Sequence, residues 1–217
     1  MKQTTLEIIR QHKIITILRG LSKEEVLQTA QALYDGGIRL LEITFNQAAP
    51  AEETAEAIRA VNERFEGKLC VGAGTVMTIR QLYAAYEAGA KYIISPDSNP
   101  EIIRETKKLG LVSMPGAMTP TEVASSYAEG ADIVKIFPAD NLGLSYIKAL
   151  KGPLNHIPMA AVGGVNLDNI ADFMKAGVAG VGIGSNIVDK AAIRHGDYAH
   201  ITRLAESYIA AASQTGN

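Results

Sequence analysis

The stretch from Ser22 to Phe45, SKEEVLQTAQALYDGGIRLLEITF, holds one complete structural unit. Its first part places Val26, Ala30 and Leu33 on one helical face, with Ser22 at the N-cap and Glu25 at the capping-box position. The glycines that follow stand where a left-handed residue ends a helix. LLEITF is then a short, apolar, β-branched run bounded by polar residues, which predicts a buried strand.

The same unit recurs along the chain. Comparable runs are IITILR from Ile14, LCVGAG from Leu69, YIISP from Tyr92, LVSMP from Leu111, IVKIFP from Ile133, PMAAVGG from Pro158 and GVGIGS from Gly180, making eight with LLEITF. Helix-ending glycines recur too, at Gly37, Gly89, Gly110, Gly130 and Gly177. Near-continuous apolar strands separated by helices require a parallel sheet covered by helices. Eight units in 217 residues predict an α/β fold, a (β/α)8 TIM barrel filling one domain over 1–217. A doubly wound open sheet is the alternative. An extra N-terminal helix, Thr5 to roughly His12, is expected to cover the barrel floor.

Composition narrows the function classes. Lys plus Arg number 21 against 23 Asp plus Glu, for a formal charge of -2, so no polyanion-binding surface is expected and nucleic acid is not an expected partner. No run approaches the ~20 apolar residues that span a bilayer, so no membrane partner is expected. The charged first segment does not resemble an export signal, and the single cysteine, Cys70, makes no internal disulfide, so a cytoplasmic location is expected. His12, His156, His195 and His200 lack ligand spacing, so no metal site and no cofactor are expected. Glu52, Glu53 and Glu56 read as the first turns of a helix, and Tyr83, Tyr86 and Tyr127 as helical packing or interface groups.

Polar residues at the carboxyl ends of barrel strands are read as chemistry. Strand side chains alternate faces. With Leu41, Ile43 and Phe45 under the helices, Leu40, Glu42 and Thr44 point into the barrel. By the same test Ile133, Lys135 and Phe137 point inward, and Ile15, Ile17 and Arg19 share a face that brings Arg19 to the mouth. One account of the inward charges is a structural Glu42–Lys135 salt bridge. The other is a lysine nucleophile beside a carboxyl acid/base: burial and Arg19 disfavour the ammonium, while Glu42 favours it.

Glycines also stand at strand ends, in VGAGT (Val71 to Thr75), VGGV (Val162 to Val165) and GIGS (Gly182 to Ser185). Loops after the last two strands form the phosphate site of many barrels, because bare backbone lets N–H groups close on an anion. Gly163, Gly164, Gly184 and Ser185 are the phosphate-site candidates.

The series LEITF, VGAGTV, ISP, MPGAMTPTE, VKIFPA, VGGVNLDN and GIGSNIV, in order and at matching spacing, resembles the 2-keto-3-deoxy-6-phosphogluconate aldolase / 4-hydroxy-2-oxoglutarate aldolase family. The resemblance covers essentially the whole chain. It implies a class I, metal-independent aldolase, commonly a homotrimer, that cleaves a 2-keto-3-deoxy sugar acid phosphate to pyruvate and glyceraldehyde 3-phosphate. Lys135 matches the Schiff-base lysine, and Glu42 the acid/base that works with a bound water. Thr75 matches the threonine near the pyruvate carboxylate, and Gly163, Gly164, Gly184 and Ser185 the phosphate contacts. Pro96 and Phe137 match further pocket positions.

Three departures from part of the family bear on specificity. Asn46 stands where some members have arginine, which leaves Arg19 as the carboxylate partner. Val162 replaces a threonine, and Asp97 replaces a frequent glycine. The ILRG, EITFN and AVGGV elements are also similar to 2-keto-3-deoxy-6-phosphogalactonate aldolases, the alternative substrate assignment. Cleavage of 4-hydroxy-2-oxoglutarate to pyruvate and glyoxylate is a further implied activity. Rival readings are a phosphate-binding barrel epimerase or phosphosynthase, and a non-catalytic sugar-phosphate sensor.

Overall fold

The computed structural model describes residues 2–213, with side chains from Thr5 onward; Met1 and 214–217, the two ends of the expected 1–217 span, lie outside the described residues. The strands are β1 (Ile14–Leu18), β2 (Leu40–Thr44), β3 (Cys70–Gly74), β4 (Tyr92–Ile94), β5 (Val112–Met114), β6 (Gly116–Ala117), β7 (Val134–Ile136), β8 (Met159–Val162) and β9 (Gly180–Ile183). Every pairing is parallel, in the order β5-β4-β3-β2-β1-β9-β8-β7-β6. The two ends of that order, β5 and β6, are one stretch of chain interrupted at Pro115. The sheet therefore returns on itself as a barrel, and the open-sheet alternative fails.

The fifth predicted run thus delivers β5 and ends at Pro115, and the chain adds a second short strand, β6, directly beyond it. Proline has no N–H for a ladder. Gly116 also runs close to β4's exit: a side chain there would meet the backbone carbonyl carbon of Pro96 at 2.5 Å. Lys135 N still donates to Pro115 O at 2.8 Å, so the break adjoins β7 without detaching it.

The helices are α1 (Lys2–His12), α2 (Lys23–Asp35), α3 (Ala51–Phe65), α4 (Ile79–Glu87), α5 (Pro100–Lys108), α6 (Pro120–Ala128), α7 (Ala139–Lys151), α8 (Ile170–Lys175), α9 (Lys190–Arg194) and α10 (Tyr198–Ser213). Glu52, Glu53 and Glu56 open α3, while Tyr83, Tyr86 and Tyr127 sit on α4 and α6. At the start of α2 the capping box is complete: Glu25 N donates to Ser22 Oγ at 3.3 Å and Ser22 N to Glu25 Oε2 at 2.7 Å. The five helix-ending glycines all have φ between 73° and 104°, the region that favours glycine. No helix among the described residues is long and apolar enough to cross a membrane.

The core divides as the alternation predicts. Leu41, Ile43, Phe45, Val134 and Ile136 belong to the layer between barrel and helices. Ile15, Leu40, Tyr92, Val112 and Ile133 fill the barrel interior, where α1 contributes fully buried Ile9 and closes the floor. Tyr92 is the largest group in this plug. Its ring occupies the space over Gly72, where a Cβ would meet ring carbon Cζ at 2.6 Å, and its hydroxyl donates to Leu41 O at 2.7 Å.

Candidate active site

Above the plug, at the carboxyl ends of the strands, lies a cavity of about 300 Å³. Lys135 enters it from β7 because its neighbours Val134 and Ile136 face the helices. The lysine is only 4% exposed, and its Nζ stands 4.7 Å from the centroid of the Phe137 ring, a cation–π contact. Glu42 comes from β2, paired with Ile17 on one side and Gly72 on the other. Its carboxyl lies where a side chain on Gly74 would otherwise be, so this glycine exists as room for the acid.

Glu42 is 1% exposed, and among the described residues neither carboxyl oxygen has a hydrogen-bond partner. The ion pairs among the described residues do not include one between Glu42 and Lys135. The structural salt bridge is therefore not formed. A buried acceptor left without a partner costs about 1–3 kcal/mol, more if charged, so packing alone does not account for this acid.

Burial also decides the balance of charges. Desolvation raises the Glu42 carboxyl above its ordinary value, against the opposing influence of the Lys135 and Arg19 cations. Desolvation lowers Lys135 below an ordinary lysine; Glu42 opposes that shift, and Arg19 adds to it. Both groups are thus moved toward their neutral forms, the direction that a nucleophilic amine and a proton-exchanging carboxyl require.

Arg19 is exposed at the end of β1 and lines the same cavity with Ile17. Val162, Gly163, Gly164, Gly184 and Ser185 line its outer part. The carbonyls of the strand-eight turn are engaged from behind. Asn169 Nδ2 donates to Gly164 O at 2.9 Å, and Asn186 Nδ2 to Val165 O at 2.8 Å. The N–H groups of Gly163, Gly164 and Ser185 have no acceptor among the described residues. Such free donors, lying beyond the strand ends, suit an anion.

Not every expected residue joins this cavity. Asn46 faces a separate one between α2 and α3, and its Oδ1 accepts from Ala48 N at 3.0 Å. Glu42, Pro96 and Thr75 are not among the lining residues. Pro96 packs against Gly116, and Thr75 follows the Gly74 that receives Glu42, with φ at 55°. Sequence reasoning missed Asn186 and Lys190, which line the cavity, and Tyr92, which supports it. The signal for the first two was their place in GSNIVDK, directly after Ser185 at a strand end. Among the described residues no group of three or more His, Cys, Asp or Glu is placed to hold a metal ion.

A family model described as KDPG and KHG aldolase matches residues 6–204. The 2-dehydro-3-deoxy-6-phosphogalactonate aldolase of Escherichia coli K12 is 37% identical over 175 residues, 80% of this chain and 83% of that one. The 2-dehydro-3-deoxy-phosphogluconate aldolase of Treponema pallidum is 31% identical over 207 residues, 95% of this chain and 96% of that one. Among solved structures, a KDPG aldolase from Legionella pneumophila, with pyruvate captured as a covalent carbinolamine, superposes with a TM-score of 0.85. It is 29% identical, over 94% of this chain and 97% of that one.

Proposed function

The chain belongs to the KDPG and KHG aldolase family, and from that premise we propose that it cleaves a 2-keto-3-deoxy-6-phospho sugar acid through a Schiff base on Lys135. The observation that carries this reading is the pairing of a buried, desolvated Lys135 with a buried Glu42 whose oxygens have no partner among the described residues. The carbinolamine held by the Legionella relative supports the same chemistry.

The Lys135 amine adds to the C2 ketone, and loss of water gives a protonated imine. Glu42 accepts the C4 hydroxyl proton as the C3–C4 bond breaks. The bonding electrons pass into the imine, leaving an enamine, and glyceraldehyde 3-phosphate departs. Protonation at C3 and hydrolysis release pyruvate and restore the lysine. Covalent catalysis of this kind replaces one poor carbanion-forming step by easier ones. The family resemblance assigns the carboxylate to Arg19 and to Thr75, the latter from outside the cavity lining, and the phosphate to the N–H groups of Gly163, Gly164, Gly184 and Ser185. Borohydride reduction with pyruvate should leave a stable mass on a peptide containing Lys135; its absence on folded protein would refute the imine.

Between the two C4 epimers, the galactonate form is favoured by the 37% relative and by the Arg19, Asn46 and Val162 set. The gluconate form remains the second reading, supported by the relative that spans 95% of this chain. A coupled pyruvate-release assay on both phosphorylated epimers and on 4-hydroxy-2-oxoglutarate separates them. A homotrimer, which the family resemblance implies, is the proposed assembly, and light scattering tests it. Buried, unpaired Cys70 agrees with a cytoplasmic setting.

A further inference from the structure

Thr75 has a backbone that a β-branched residue rarely adopts, with φ at 55°. Its neighbours are tied down on both sides: Phe45 N donates to Gly74 O at 2.9 Å, and Val76 N to Ile94 O at 3.2 Å. Ser95 Oγ adds a bond to Val76 O at 2.6 Å. Between these fixed points Thr75 itself is held, among the described residues, by a single side chain. Gln47 Nε2 donates to Thr75 O at 2.9 Å across 28 residues of sequence.

Gln47 is exposed, yet its amide is not free to turn over. Gln81 Nε2, from α4, donates to Gln47 Oε1 at 3.0 Å. Gln81 is 8% exposed, and its own Oε1 accepts from Met77 N at 2.9 Å. Each amide thus has its acceptor end committed, which leaves its donor end pointing down the chain toward Thr75. A relay with one direction converges on one strained residue, beside the glycine that makes room for Glu42.

We propose that Gln47 and Gln81 are positioning residues that keep Thr75 in its left-handed conformation and thereby fix its hydroxyl next to Gly74, against which the Glu42 carboxyl packs. Strain held in place by its surroundings clusters at working sites, and here the surroundings are these two amides. The inference rests on the Schiff-base reading, with pyruvate as the molecule whose binding the hydroxyl assists. It adds two residues to that site, neither of which lines the cavity.

The test is a double-mutant cycle read by borohydride trapping of pyruvate. Gln47→Glu keeps the volume but places an acceptor against the Thr75 carbonyl. In otherwise unaltered protein it should raise the half-saturating pyruvate concentration about three- to tenfold, the worth of one hydrogen bond, with the trapping rate at saturation unchanged. In a Thr75→Ala background, where no hydroxyl remains to be positioned, the same substitution should change it less than about twofold. Equal changes in both backgrounds would overturn the proposal, since a relay that only stitches loops together acts regardless of the hydroxyl. If Gln47→Glu melts well below the unaltered protein, Gln81→Met breaks the relay from its buried end and is read the same way. Failure of the unaltered protein to trap pyruvate at Lys135 would instead refute the Schiff-base reading, and this inference with it.

Discussion

Replacing Gly74 by alanine adds one methyl group at the point where the structure has least space for it. The new Cβ would lie 2.5 Å from both Cγ and Cδ of Glu42 and closer still to Oε1. Carbon atoms pack at about 3.5–4.0 Å, so the carboxyl must retreat by about 1 Å or the strand must yield. There is little room for either, because Glu42 is 1% exposed and the ring of Tyr92 fills the interior below. Overpacking of this kind costs about 1–3 kcal/mol. A 1 Å misplacement of a reacting group can cost about a hundredfold in rate. The φ of Gly74 is not in the left-handed region, so the backbone accepts alanine and the effect is steric alone. Gly67→Ala is the control: its φ is 82° and nothing lies within 4 Å of an added Cβ, so it should cost about 1 kcal/mol with activity intact. Expected for Gly74→Ala is a loss near a hundredfold in pyruvate release, while borohydride still traps pyruvate on Lys135. Unaltered release at ordinary stability would show that Glu42 has another position from which to act, and would refute the reasoning.

Three further expectations concern titration, reactivity and stability. The folded-state Lys135 lies below its unfolded value, so between the two the unfolded chain holds the extra proton and stability rises with pH, levelling above about 10.4. Lys135→Met should remove that rise, seen in thermal melts from neutral to alkaline pH, and should abolish pyruvate trapping. Cys70 is buried and its thiol is pushed up to about 11, so a disulfide reagent at mildly alkaline pH should find no thiol until denaturant is added. Ser22→Ala removes the N-cap acceptor of α2; a loss of about 1 kcal/mol, or roughly 2–4 °C in Tm, should appear in melting curves with pyruvate release unchanged.

Alternation along a strand carries much of this architecture in plain sequence. Leu41, Ile43 and Phe45 could be assigned to one side and Leu40 and Glu42 to the other because a strand allows only two choices. The helix-ending glycines were legible for a similar reason, since few residues tolerate the conformation that position demands. What stayed hidden has no period. Asn46 leaves β2 in a loop, where alternation stops, and turns to a different cavity. Pro115 ends the fifth run, and the two-residue β6 that follows it is too short to show a pattern. Gly72 and Gly74 look like any strand-end glycines, and their use as space for Tyr92 and Glu42 depends on partners 20 and 32 residues away in the chain. Glycine in this chain therefore has a third use, beside helix ends and anion-facing turns.

The floor of the barrel, closed by Ile9 and the Tyr92 ring, also constrains the kinetics of the proposed reaction. A cup with one opening makes entry and exit share a route. The half of the substrate bound to buried Lys135 lies deeper than the half near exposed Ser185. The phosphorylated aldehyde should therefore leave first and pyruvate last. In an ordered release of this kind pyruvate inhibits competitively with the sugar acid and the aldehyde noncompetitively; the reverse pattern in product-inhibition plots would require a second exit through the barrel.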